Sequence, residues 1–142
     1  MKYLLLLLLL PTISISCKEE TNNELIKSQA IQLASDWTEA WNGNINVDHM
    51  MSLHHPELQY YWHNNPLTYN GFKKVLEEYI VGHEHYNLEL VNEVVTVMDN
   101  NNAIVGFQLI DKGKAPDSAE GAFTLVITRY KSKWKIIHIH ES

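Results

Sequence analysis

Hydrophobic and polar residues alternate at the end of the chain, and this pattern predicts a β-hairpin. Residues 121–130 are rich in β-branched and aromatic side chains, residues 131–133 are polar, and residues 134–142 alternate strictly. Side chains along a strand point to opposite faces in turn. One face of the last strand should therefore carry Trp134, Ile136, His138, His140 and Ser142, and the other Lys135, Ile137, Ile139 and Glu141.

A helical spacing of three and four residues marks an earlier part of the chain. Apolar side chains recur with this spacing at Ile26, Ala30, Leu33, Trp37, Ala40 and Trp41. Thr21 and Glu24 have the spacing of a capping box, which predicts that the helix begins there. Asn42 and Gly43 tolerate left-handed backbone geometry and predict its end.

Two shorter helices and three further strands complete the predicted fold. The first short helix has Asn46 or Asp48 as its N-cap and stops before Pro56, and the second begins at Asn70 and ends before Gly82. Residues 58–64 form an aromatic strand, with Tyr60 and Trp62 on one face. Residues 88–98 and 103–111 form two more strands before the terminal hairpin. Helices followed by a meander indicate an α+β fold, with helices on one face of an antiparallel sheet.

The composition limits the class of protein. A chain of 142 residues suits one domain, and a net charge of −6 argues against a nucleic-acid partner.

The N-terminal segment predicts export and lipidation. Lys2, the run Leu4–Leu10 and small residues before Cys17 have the layout of a secretory signal peptide, and the run is too short to span a bilayer. Cys17, the only cysteine, sits where such a signal is cut, which resembles the lipobox of bacterial lipoproteins, although Ser14 departs from its usual aliphatic residue. A plain secretory signal is the alternative.

The lipobox resemblance implies three segments of the chain and a cellular location. Residues 1–16 would be the signal peptide, residues 17–23 a lipidated tether, and residues 24–142 the folded domain. Membrane contact would be through the N-terminal acyl chains only. Residues 18–20, Lys-Glu-Glu, resemble an export signal for the outer membrane, so we expect an outer-membrane anchor with the domain on the periplasmic or cell-surface side.

The order of these elements resembles the nuclear transport factor two-like superfamily, and within it SnoaL-like domains and the association domain of the calmodulin-dependent protein kinase. The resemblance covers about residues 24–142, and Trp134, Ile136, His138, His140 and Ser142 carry most of it. It implies a curved sheet wrapped on helices into a cone with a pocket. Such cones bind small hydrophobic or anionic ligands, host enzymes such as ketosteroid isomerase-like isomerases, dehydratases and cyclases, or only dimerise.

Aromatic, histidine and arginine side chains are the candidates for a pocket lining. These candidates are Trp41, Tyr60, Trp62, His63, Arg129, His138 and His140, with His140 the best single candidate for catalysis because imidazole titrates near neutral pH. If the other face of the last strand were inside, Ile137 and Ile139 would fill the core. A bulge could also reverse the pattern midway.

The eight histidines also raise the question of a metal. His83 and His85, like His138 and His140, are spaced two residues apart, but no HExxH motif accompanies them. We therefore expect no metal and no cofactor.

Three functional hypotheses follow. The first is a lipid-anchored domain that binds a small hydrophobic or anionic molecule. The second is a cofactor-independent isomerase, dehydratase or cyclase that uses histidine-assisted proton transfer. The third is an interaction module that forms a homodimer through its outer sheet face.

Overall fold

The computed structural model describes residues 10–62, 65–82, 86–112 and 119–142. Within these ranges the chain forms three helices and six strands. The helices are α1 (Leu10–Glu39), α2 (Val47–Ser52) and α3 (Tyr69–Val75), which continues into a π-helical turn, Leu76–Ile80. The strands are β1 (His54–Trp62), β2 (Asn65–Thr68), β3 (Leu88–Asp99), β4 (Asn102–Asp111), β5 (Ala119–Tyr130) and β6 (Lys133–Glu141). The strands form a single sheet in the order β2-β1-β6-β5-β4-β3. The predicted α+β class is confirmed.

Helix α1 is longer than expected. It already runs through Thr21, so the predicted capping box does not begin it. Lys18, Glu19 and Glu20 are strong helix formers, and they extend the helix through the segment expected to be a tether. No described helix is both long and apolar enough to cross a membrane.

Side chains cap the N-termini of the two shorter helices. Asn46 Oδ1 accepts a hydrogen bond from the backbone N–H of His49 at 3.0 Å, which selects Asn46 over Asp48 as the cap of α2. The cap of α3 is Thr68, whose Oγ1 accepts from the N–H of Gly71 at 3.3 Å. The prediction of Asn70 is therefore wrong by two residues, and residues 65–68, for which no strand was predicted, form β2.

The sheet is curved and open, and only one of its pairings is parallel. Strand β6 lies in its middle, between β5, which is antiparallel to it, and β1, which is parallel to it with His54 opposite Ile136. The expectation of a purely antiparallel sheet is wrong at this pair. Bulges interrupt β1, β3, β5 and their partners, and such irregularities bend a sheet and increase its twist.

The hydrophobic core lies between α1 and the inner face of the sheet. Helix α1 contributes the spaced residues Ile26, Ala30, Leu33, Ala34 and Trp37, all buried. The inner face of the strands contributes Val105, Leu125, Ile127, Ile136 and Ile139, none with measurable exposure. The described helices leave the opposite sheet face uncovered, where Val94 is 67% and Met98 61% exposed.

One side chain ties the end of α1 to the start of β3. Asn42 Nδ2 donates to the carbonyl of Leu88 at 3.0 Å, and the N–H of Leu88 donates to Asn42 Oδ1 at 2.6 Å. The amide thus imitates a neighbouring strand, and Gly43, with φ of +66°, turns the chain away behind it. This connection positions the C-terminal end of α1 over the sheet.

Candidate ligand-binding cavity

A cavity of about 150 Å³ opens between the C-terminal part of α1 and the inner face of the sheet. Its lining is mainly aromatic. The described lining residues are Trp37, Trp41, Tyr60, Trp62, Tyr86, Leu88, Leu109, Phe123 and Glu141. Trp41, Tyr60 and Trp62, which the sequence proposed for a pocket, are among these lining residues, whereas Trp37, Tyr86 and Glu141 were not singled out for it.

The aromatic side chains around the cavity come from the end of α1, from β1 and from the segment before β3. Trp37 lies in the last turn of α1 and Trp41 just after the helix ends, with ring centroids 5.8 Å apart and planes at 82°. Tyr60 and Trp62 lie two residues apart on β1, and their rings are stacked at 6.1 Å with planes at 14°. Tyr86 closes another side, with its ring 5.8 Å from that of Trp41.

A bulge in β6 brings Glu141 to the cavity. Ile136 pairs with Ile127, but His138 pairs with Val126, so Ile137 is the additional residue on β6. Before the bulge the even position Ile136 is buried, and after it the odd position Ile139 is buried. Glu141 follows Ile139 on the inner face and lies opposite Phe123.

The same bulge places His138 and His140 on the outer face of the sheet. Their rings lie near Tyr61, with centroids 5.7 Å and 6.3 Å from its ring. Burial and then the charge of His140 lower the pKa of His138. The prediction that His140 lines the pocket is therefore wrong, because the extra residue Ile137 reverses the facing of β6 directly before His138.

Arg129 also lies outside the cavity. It is exposed at the end of β5, with its guanidinium 4.7 Å from the ring centroid of Trp134. Gln29 Oε1 on α1 accepts hydrogen bonds from Arg129 Nη2 at 3.2 Å and from Trp134 Nε1 at 2.8 Å. This arrangement fastens the β5–β6 hairpin to α1 and gives Arg129 a structural role.

The remaining histidine candidates fall in parts of the chain that the structure does not describe. His63, His83 and His85 lie outside the described residues. Within the described ranges, no group of three or more His, Cys, Asp or Glu side chains is arranged to hold a metal ion.

The described lining residues carry two tyrosine hydroxyls, one carboxylate and three indole N–H groups. Burial, then the negative charge of Glu141 and the neighbouring Tyr86, raise the pKa of Tyr60, so its hydroxyl stays protonated and can donate a hydrogen bond. Trp37 Nε1 and Trp41 Nε1 are buried and have no hydrogen-bond partner among the described residues.

The fold and cavity together define a small α+β cone with an aromatic pocket. The model of the SnoaL-like domain family matches residues 30–142, so the chain belongs to this family. No curated protein matches the chain.

Solved structures share the fold at low sequence identity. An NTF-2 like protein of unknown function from Shewanella oneidensis MR-1 is 19% identical, with 82% of this chain and 98% of that chain covered and a TM-score of 0.67. A cystatin-like fold protein from Burkholderia xenovorans LB400 is 20% identical, with 81% and 88% covered and a TM-score of 0.64. A Novosphingobium aromaticivorans DSM 12444 protein named "Putative Scytalone Dehydratase" is 14% identical, with 87% and 88% covered and a TM-score of 0.70.

Proposed function

We propose that this chain is a lipid-anchored domain that binds a small molecule in the aromatic cavity. The observation that carries this proposal is the cavity itself, with five Trp and Tyr side chains and a carboxylate around about 150 Å³. An apolar cavity of this size accommodates a molecule about as large as benzene. Mostly aromatic walls with a few polar groups are typical of ligand sites.

The lining favours a neutral or positively charged ligand over an anionic one. Glu141 contributes negative charge, and the described lining residues include no lysine, arginine or histidine. Of the two ligand classes expected from the sequence, the hydrophobic one therefore suits the cavity better, because an anion would be placed beside a carboxylate.

Calorimetry with a filled-cavity variant tests the proposal. The full chain would be titrated with phenol, benzyl alcohol, benzoate and choline. Leu88→Trp adds bulk to the cavity wall and should remove binding, whereas Val94→Trp makes the same kind of change on the exposed outer face and should leave binding intact. The proposed site would be contradicted if no compound bound with a Kd below about 1 mM, or if both variants bound equally well.

The anchor is tested separately by Cys17→Ser. Acylation at Cys17 would hold the protein on membranes, since each buried methylene contributes about 0.8 kcal/mol. The variant should move to the soluble fraction, and the native chain should gain the mass of the acyl groups. An unchanged distribution between fractions would refute lipidation.

The uncovered outer sheet face supports a homodimer as the quaternary arrangement. Val94 and Met98 are exposed apolar side chains there, and Tyr61, 40% exposed, lies on the same face. Sedimentation of the full chain should give a dimer at micromolar concentration, and Val94→Arg should give a monomer of unchanged thermal stability. A monomeric native chain would exclude this arrangement.

A second candidate function is proton transfer on a small carbonyl compound. The Tyr60 hydroxyl can donate to a developing oxyanion, and the Glu141 carboxylate in the same cavity can accept a proton. A carboxylate, rather than the expected histidine, would be the base. Hydrogen–deuterium exchange at carbon in cyclohexanone, followed by NMR, should be accelerated by the native chain and not by Glu141→Gln; equal rates for both would exclude this function.

A further inference from the structure

The charge and the rings of the cavity together narrow the chemical class of its ligand. Glu141 is the one carboxylate among the described lining residues, and it lies opposite Phe123 on the inner face. Its charge is felt within the cavity, since it contributes to the raised pKa of Tyr60. A positive charge on the ligand would be attracted by this carboxylate in a wall that otherwise offers little solvation.

The aromatic rings favour the same charge. Ring faces carry negative electrostatic potential and attract cations that lie within about 6 Å of the centroid. The rings come from three places in the chain: Trp37 and Trp41 from the end of α1 and the turn after it, Tyr60 and Trp62 from β1, and Tyr86 before β3. The rings of the β1 pair are stacked, and those of Trp37 and Trp41 are perpendicular to each other. Such cages of rings recognise methylated ammonium groups in other proteins.

We infer that the cavity binds a small organic cation with apolar substituents, such as a methylated ammonium or a protonated alkyl amine. The volume of about 150 Å³ limits the ligand to one such group with a short substituent. This inference rests on the proposed binding function and specifies its ligand class.

Two probes of the same shape isolate the charge. Choline and 3,3-dimethylbutan-1-ol differ by the replacement of the quaternary nitrogen with carbon, so their size and hydroxyl group are matched. Binding to the full chain would be measured by calorimetry and by the fluorescence of the three cavity tryptophans. Choline should bind at least about tenfold more tightly than the alcohol, which corresponds to about 1.4 kcal/mol.

A pair of variants assigns the preference to one carboxylate. Glu141→Gln should reduce the preference for choline to less than about threefold while the alcohol binds as before, which also shows that the variant cavity is folded. Glu89→Gln is the matched control, because Glu89 is exposed on β3, pairs with Lys112 and does not line this cavity. It should leave the preference unchanged.

The outcomes separate this inference from the proposed function. Equal binding of the two probes, or a preference that survives Glu141→Gln, would overturn the cationic ligand class while the cavity remains a binding site. Binding of phenol or benzyl alcohol without binding of choline would overturn it in the same way. Absence of binding by every compound would remove both the inference and the proposed function.

Discussion

Acidification should destabilise the fold through one buried histidine. His54, at the start of β1, is 3% exposed and packs against Phe72 with ring centroids 5.3 Å apart. Its Nδ1 lies 2.9 Å from the carbonyl of Met50, and because a carbonyl can only accept, Nδ1 carries the proton. Nε2 is buried without a partner among the described residues.

Burial lowers the pKa of His54 to about 4 from an ordinary value of 6.5, and the charge of Lys135 acts in the same direction, while the hydrogen bond to Met50 opposes it. Between these two values the unfolded chain binds a proton that the folded chain does not, so stability falls as the pH falls. No loss is expected above about pH 6.5, and the loss is complete below about pH 4. At pH 4.5 the loss of stability amounts to about 2.5 kcal/mol, because each pH unit between 6.5 and 4.5 costs slightly less than about 1.4 kcal/mol.

Urea unfolding of native protein and His54→Asn at pH 7.5 and pH 4.5 measures this effect. The asparagine Nδ2 can take the place of Nδ1 as donor to Met50, but it does not titrate. The native chain should lose about 2.5 kcal/mol more than the variant between the two pH values, a difference in urea midpoint of about 1 to 2 M. Carboxylates titrate in both proteins and therefore cancel in the comparison.

The reasoning fails if the two proteins lose the same free energy of unfolding between pH 7.5 and pH 4.5. A direct check is available from the imidazole resonances of the folded chain. An NMR titration that gives His54 a pKa near 6.5 would show that the side chain is solvated rather than buried.

Three further substitutions test the packing and hydrogen bonds that shape the domain. Asn46→Ala removes the cap of α2 and should destabilise the chain by about 1 kcal/mol in urea unfolding, with Asn46→Ser close to native; an effect below about 0.3 kcal/mol would exclude a capping role. Phe72→Ala removes a fully buried ring in contact with Trp41 and Tyr60 and should reduce stability by about 3 to 5 kcal/mol, whereas Phe72→Leu should reduce it by less. Asn42→Ala removes both hydrogen bonds to β3 and should reduce stability by about 1 to 3 kcal/mol; exchange protection of the Leu88 amide that survives the substitution would argue against this connection.

Much of the fold was predictable because periodicity reflects burial. The alternating residues Phe123, Leu125 and Ile127 all face the core, as do the residues spaced along α1. Strand β2 and the parallel pairing of β1 with β6 were not predicted. The parallel pairing depends on contacts between segments distant in sequence, and local propensity contains little information about such contacts. Strand β2 pairs with β1 directly before it, but its Asn65 and Pro66 are residue types typical of turns.

The sequence pattern agrees with the cavity wall on β1, where the strand pairing is regular from Gln59 onward. Tyr60 and Trp62 alternate regularly on β1 and line the cavity. On β6, the extra residue Ile137 exchanges the faces of all residues after it, so Glu141 takes the position that was expected for His140. The adjacent isoleucines at 136 and 137 place an apolar side chain on each face of the strand, so the sequence alone does not decide which face is inside.

The central place of β6 has a consequence for how the chain folds. β3, β4 and β5 can assemble with β6 through short connections in sequence, but β1 reaches β6 only by bringing residue 54 beside residue 136. Closing so large a loop before any contact is gained slows folding. We expect a meander that forms early and a slower kinetic phase in which Trp62 becomes protected from solvent, which stopped-flow fluorescence with Trp62→Phe as the silent control would detect.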